Sequence, residues 1–254
     1  SNPVFDHESI TLKLRKEFNV VDYKIDVDDH KQFMLDADYN KVQSYYGVGG
    51  KSNVFKEVTL EHYLGAKFLN LKKDDVYIDI ASRFSPVSEI YNSLYDCEVY
   101  SQDLIFENGI NGRQIGGDAG NRPVKDGFAS KMALHNSFKH FEKDADTRFI
   151  KEASRVLVKG GKLCILPLYL SENYLIMTDP SVVTKGENPF ENDVTLYCVK
   201  GNGIRHARFY DIDNFIKRVV NHLGDLHLTI YVIQNEKDID ESCYVKFVAI
   251  FEKI

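Results

Sequence analysis

Asp103 closes a strand-like run, Val99-Tyr-Ser-Gln-Asp103, and follows by one βα unit the apolar run Val76-Tyr-Ile-Asp-Ile-Ala81 and its tight loop Ser82-Arg-Phe-Ser-Pro86. A strand, a tight loop, a helix and a second strand ending in a carboxylate build a nucleoside-binding crevice. The loop and the helix N-terminus offer backbone N–H groups there, and the carboxylate accepts hydrogen bonds from ribose hydroxyls. Three histidines, His135, His140 and His206, are candidates for moving a proton near neutral pH. Arg205-His206-Ala207-Arg208 sets two guanidiniums around one of them, which suits a carboxylate or phosphate on a substrate. The alternative for that segment is a solvated basic turn paired to Asp211 or Asp213. No metal site is expected: His135 and His140 are five residues apart without an H-E-x-x-H pattern, and Cys97, Cys164, Cys198 and Cys243 form no C-x-x-C pair.

The elements that must position these groups are legible from residue 58 onward. Leu60, Tyr63, Leu64 and Phe68 recur at helical spacing. A buried strand follows at Val76–Ala81. Ser85-Pro86 then opens a helix with Val87, Ile90, Tyr91 and Leu94 on its sheet-facing stripe. Cys97–Ser101 reads as the second strand, 104–125 as loops, and Phe128–Leu134 as another buried strand. Ala145 to Leu157 is helical by spacing, ended by Gly160-Gly161, and Lys162–Leu168 is the next strand. Residues 169–210 break this rhythm as an insertion with a short strand at Val194–Val199, and an insertion of that length is usually functional. Asp211 caps one more helix, and Leu226–Ile233 with Tyr244–Phe251 form an antiparallel pair at the sheet edge. Alternating strands and helices predict a mostly parallel α/β sheet, Rossmann-like, covered by helices on both faces, with its ligand over the C-terminal strand ends. Residues 1–56 read as an N-terminal cap or extension, with a helix near Asp29–Asp38 and a loop at Tyr45–Gly50, and 57–254 as the main domain.

Composition narrows the partners. The 254 residues are 43% hydrophobic and 28% charged, an ordinary globular balance. The net charge of −6 argues against a nucleic-acid backbone as partner. No apolar run is long enough to cross a membrane and no signal segment is visible, so a cytoplasmic protein is expected, monomer or homodimer. Scattered cysteines in apolar runs read as buried thiols in a reducing compartment.

In order and spacing these pieces resemble the class I S-adenosylmethionine-dependent methyltransferases, of the type 11 kind, over about residues 57–254. The matching pieces are Tyr77-Ile-Asp79-Ile-Ala81, Val99-Tyr-Ser-Gln-Asp103, Gly117-Asp118-Ala119, Met132-Ala-Leu-His-Asn-Ser-Phe-Lys-His140 and Arg155-Val-Leu-Val-Lys-Gly-Gly161. The resemblance implies a seven-stranded sheet whose last strand is antiparallel, S-adenosylmethionine as cofactor, and methyl transfer to a small-molecule or glycan-type acceptor at oxygen or nitrogen. It implies that Asp103 binds the ribose, Asp118 the adenine amino group and the Ala119 amide the ring. It puts Asp79, Ala81, Ser82 and Arg83 along the methionine end, and Leu134 and His135 under the cofactor. A general base for a hydroxyl acceptor would come from His135, His140 or His206, and Tyr169, Arg205 and Arg208 would face the acceptor.

One departure stands out. The family's loop after the first strand is rich in glycine, and Ala81-Ser82-Arg83-Phe84-Ser85-Pro86 has none. Either the small residues Ala81 and Ser82 suffice for a cofactor without a pyrophosphate, or the chain is a non-catalytic scaffold of the same fold. A nicotinamide-dependent oxidoreductase is the weaker rival, since G-x-G-x-x-G is missing and the only Y-x-x-x-K, Tyr63 to Lys67, precedes the first strand.

Overall fold

The computed structural model describes residues 5–41, 54–192 and 194–254; the loop expected at Tyr45–Gly50 lies outside them. In chain order the elements are α1 (His7–Glu17), β1 (Asn19–Tyr23), α2 (Val27–Asp36), α3 (Phe55–Leu69), β2 (Val76–Ile80), α4 (Val87–Tyr95), β3 (Glu98–Asn111), β4 (Gln114–Gly116), β5 (Ala129–His135), α5 (Ala145–Val156), β6 (Leu157–Leu166), β7 (Leu175–Thr178), β8 (Thr195–Cys198), β9 (Ala207–Phe209), α6 (Ile212–Arg218), β10 (Leu226–Ile233) and β11 (Phe247–Lys253). The main sheet runs β1-β10-β11-β6-β5-β2-β3-β4 and the insertion folds as a three-stranded sheet β8-β7-β9. β11 is antiparallel to both neighbours, while β2, β3, β5, β6 and the β1–β10 pair are parallel. This is the expected doubly covered α/β sheet, with eight strands instead of seven.

The side-chain period of two sorts the core into two layers. Ile78, Ile80, Met132, Leu134, Leu163 and Ile165 pack with α1, α5 and α6 on one face. Tyr77, Val99, Ala133, Cys164 and Leu166 pack with α2, α3 and α4 on the other. The helical spacing of Leu60, Tyr63 and Leu64 is fulfilled, all three being fully buried.

Four sequence expectations shift. β1 pairs outside β10, so the terminal antiparallel pair is not the sheet edge. β11 begins at Phe247, because the amides of Tyr244 and Val245 donate to Glu57 Oε2 on α3 instead of to a strand. The stretch read as loops from residue 104 is a continuation of β3 that folds back on β4 at Gly112, whose φ is +62°. α5 ends at Val156, and residues 158–161 bulge out of β6 before Lys162 resumes pairing with Lys131.

The insertion is tied to the main domain through Asp146, in the first turn of α5 and wholly buried. Its carboxylate accepts from Tyr210 Oη (2.6 Å), Arg218 Nε (2.8 Å) and Arg218 Nη2 (2.7 Å), and Arg208 Nη1 of β9 lies 2.9 Å from it. A buried carboxylate holding two guanidiniums is costly to remove, because the cations are then left uncompensated. Asp146→Ala is expected to lower stability by about 3–5 kcal/mol in urea unfolding; a loss below about 1 kcal/mol would contradict this role.

Candidate active site

The loop after β2 takes a glycine-like path without glycine. Ala81 and Arg83 both have φ of +51°, in the left-handed region that L side chains rarely adopt. β3 grips it where its pairing with β2 ends. Ala81 N donates to Gln102 Oε1 (3.2 Å), Ser82 N to the Gln102 carbonyl (3.0 Å) and Arg83 N to Asp103 Oδ2 (2.6 Å). Gln102 Nε2 reaches on to the Gly117 carbonyl at 2.6 Å, so one buried amide ties together the loops after β2 and β4. The loop amides expected to face a ligand are therefore spent on Gln102 and Asp103. The remaining carboxylate lone pairs are the acceptors left at this end of the loop.

These strand ends open into a cavity of about 480 Å³. Ala81, Asp103, Asp118, Ala119 and His140 all line it, so the structure brings five of the sequence candidates together. Arg83 adjoins them through its bond to Asp103. Asp103 Oδ1 accepts from Ile105 N at 3.1 Å, and Asp118 is held by Gly120 N (2.8 Å) and Arg148 Nη1 (2.5 Å). A carboxylate has about four acceptor positions, so both retain capacity for a ligand. Sequence reading missed Gln102, Leu104, Phe141 and Glu142, which also line the cavity. Leu104 is 74% exposed, an apolar side chain left uncovered beside two acids. Its only sequence signal was its place directly after Asp103. Charged side chains on the lining are four carboxylates against two cations, a balance that favours a cationic ligand over a pyrophosphate.

The three histidines part company. His140 stands exposed at the rim, and its Nδ1–H donates to the His206 carbonyl at 2.6 Å. A carbonyl can only accept, so in the neutral ring the proton is on Nδ1 and Nε2 is left as acceptor. His206 is buried, with Nδ1 bonded to the Lys139 carbonyl at 3.1 Å, and burial aided by the Arg208 charge pushes it down to about 4. It supports the turn that carries His140. His135 lies on the α3–α4 face, with Nδ1 3.2 Å from Asp79 Oδ1 and Nε2 3.3 Å from Tyr91 Oη. Gly65 of α3 closes over it so tightly that a Cβ there would meet Nε2 at 2.8 Å. Asp79 and His135 thus form a sealed pair beneath α3, and Leu134 and Ser82 are buried in packing. None of these four lines the cavity.

The substrate candidates also separate. Arg208 is fully buried, bonded to the carbonyls of Phe141 (2.7 Å) and Lys143 (2.9 Å) besides Asp146 and Glu191. It holds up the cavity wall and has no free face for a substrate. Arg205 pairs with Glu142 (2.6 Å) and Glu187 (2.7 Å), not with Asp211 or Asp213. Tyr169 faces a second cavity, of about 240 Å³, over the end of β6.

Two solved structures share this fold. A 1,6-didemethyltoxoflavin-N1-methyltransferase from Burkholderia thailandensis, with its substrate and S-adenosylhomocysteine bound, aligns over 90% of this chain and 91% of its own at 10% identity and a TM-score of 0.52. The PH0226 protein of Pyrococcus horikoshii aligns over 85% of this chain and 98% of its own at 18% identity and a TM-score of 0.52. The fold is that of the class I methyltransferases. No protein-family model matches the sequence, and no curated protein does. Within the methyltransferase fold, the β2 loop of this chain reaches left-handed geometry through Gln102 and Asp103 instead of through glycine.

Two outcomes follow from the loop and from His206. Ala81→Gly relieves left-handed strain of about 1–2 kcal/mol against a chain-entropy cost of about 0.5–1 kcal/mol. It is expected to be neutral or stabilising by up to about 1 kcal/mol in denaturant unfolding, while Ala81→Val destabilises. A clear loss for the glycine variant would show that the loop is not strained. His206 folds neutral, with its ring held below the value of about 6.5 that it takes when unfolded. Its contribution is fully present above pH ~6.5 and is lost as pH falls toward 4. The wild type should therefore lose up to about 3 kcal/mol more than His206→Gln between these values; parallel stability curves would contradict it.

Proposed function

We propose that this chain is an S-adenosylmethionine-dependent methyltransferase, of the type 11 kind, acting on a small-molecule or glycan-type acceptor at oxygen or nitrogen. The observation that carries the reading is the meeting of Ala81, Asp103, Asp118 and Ala119 on one cavity, just past β2 and β4 and at the point of β3 where its pairing with β2 ends. In this reading Asp103 holds the ribose hydroxyls, Asp118 and Ala119 the adenine, and the acidic balance of the lining stabilises a sulfonium cation. When bound, the cofactor supplies an electrophilic methyl group. The chain's own task is to hold the acceptor in line with it and to keep water out. Of the three histidines, His140 lines this cavity, with Nε2 left as acceptor. The toxoflavin enzyme of the same fold acts on a small molecule, which supports that acceptor class. We place the protein in the cytoplasm, where its four free thiols would persist.

The scaffold reading drew its support from the glycine-free loop, and the left-handed turns at Ala81 and Arg83 weaken it. The nicotinamide reading loses further ground to the acidic lining.

Calorimetric titration with S-adenosylmethionine and S-adenosylhomocysteine tests the proposal. Micromolar binding is expected, weakened at least tenfold, about 1.4 kcal/mol, in an Asp103→Ala variant that keeps its circular dichroism spectrum. A folded wild type that binds neither compound would overturn it and restore the scaffold reading.

A further inference from the structure

The second cavity has an uncommon floor. Pro167, Leu168, Leu170 and Phe209 give it apolar walls, and the Tyr169 and Tyr244 hydroxyls stand 3.5 Å apart at one end. Behind them, Lys139 Nζ donates to Tyr169 Oη at 2.8 Å and to Asn136 Oδ1 at 2.7 Å, and Tyr169 Oη donates to Asn136 Oδ1 at 2.6 Å. Lys139 and His140 are neighbours on one short turn, Phe138–His140. One of them faces the nucleoside-type cavity and the other serves the second.

At this end Lys139 meets two buried acids. Glu57 and Glu61, one helical turn apart on α3, are both fully buried and flank Lys139. Burial pushes Glu57 up to about 7, and burial together with Glu57 holds Glu61 well above the carboxylate range. The acids therefore do not both neutralise the lysine, whose own burial brings it down to about 8. The result is a cation behind the two tyrosines, with the Tyr244 O–H left to donate, at one end of a slot whose lining also holds His7 and Lys246.

We propose that this cavity is the acceptor site and that it takes an aromatic hydroxyl compound, held as its phenolate with the oxygen toward Tyr169, Tyr244 and Lys139. This rests on the methyltransferase reading above and narrows its acceptor class. The cavity is small, about 240 Å³, which suits one ring with a substituent. A sugar would leave hydroxyls unpaired against Leu168, Leu170 and Phe209. An amine that enters as a cation would be repelled by Lys139. A carboxylate must shed its full hydration before entry, whereas a phenol enters neutral and ionises in place, its proton passing to solvent.

4-Nitrophenol is the probe, because its phenolate absorbs in the visible. Saturable binding is expected, with the phenolate band appearing at least one pH unit below its position in buffer. Nitrobenzene and 4-nitrobenzoate should bind at least tenfold more weakly. Phe209→Ala should weaken binding at least tenfold, and Lys139→Gln should abolish the spectral shift. Tyr244→Phe, at a partly exposed ring, reports on the same hydroxyl end and should reduce the shift should the lysine variant not fold. Binding that is absent, or equal for 4-nitrobenzoate, or unchanged in Phe209→Ala and Tyr244→Phe, would overturn the proposal. S-Adenosylhomocysteine titrated into the same samples separates the two readings. Its failure to bind counts against the methyltransferase reading, while failure of 4-nitrophenol alone counts against this pocket.

Discussion

The carboxylate of Asp103 and the amide of Gln102, side by side on β3 where its pairing with β2 ends, hold the structure's functional end in shape. Between them they take the backbone N–H groups of Ala81, Ser82 and Arg83, and Gln102 also reaches the Gly117 carbonyl. Two left-handed non-glycine residues within three positions cost on the order of 1–2 kcal/mol each. Hydrogen bonds to a carboxylate and a buried amide are of the size needed to offset that cost. The loop is thus fixed by its neighbour strand, and the acid that would bind a ribose is the same acid that shapes the turn.

The far wall of the cavity depends on a different constraint. Phe141 and Lys143 are held by Arg208, which is itself held by Asp146 and Glu191. His206, two residues before Arg208, receives the Nδ1–H of His140 on its carbonyl. The insertion is therefore a buttress. Its arginines and its histidine set the position of residues 139–143, and those residues meet the cavity.

Much of this was legible in the residues. Period-two and helical spacing fixed the βα order from β2 to α5; strand topology pointed to Asp103 and the resemblance to Asp118 and Ala119, and all three meet on one cavity. Where the reading failed, long-range packing decided. Nothing local in Asn19–Tyr23 marks a strand, since it is an edge whose partner, β10, lies some two hundred residues away. His135 looked like a proton carrier because its face of β5 depends on register, which turned it under Gly65. Arg208 looked like a substrate clamp because its partners Asp146 and Glu191 are distant in sequence. Lys139 was passed over because its surroundings, Glu57 and Glu61, come from α3. Gln102 could have been found by asking what holds a glycine-free loop.

The most direct measurement is a crystal structure of the protein grown with saturating S-adenosylhomocysteine. The account predicts ribose hydroxyls within hydrogen-bond distance of Asp103, adenine against Ala119, and Ala81 and Arg83 still at positive φ with their amides on Gln102 and Asp103. Electron density for the ligand elsewhere, or a loop that must unwind to admit it, would contradict a site preshaped without glycine.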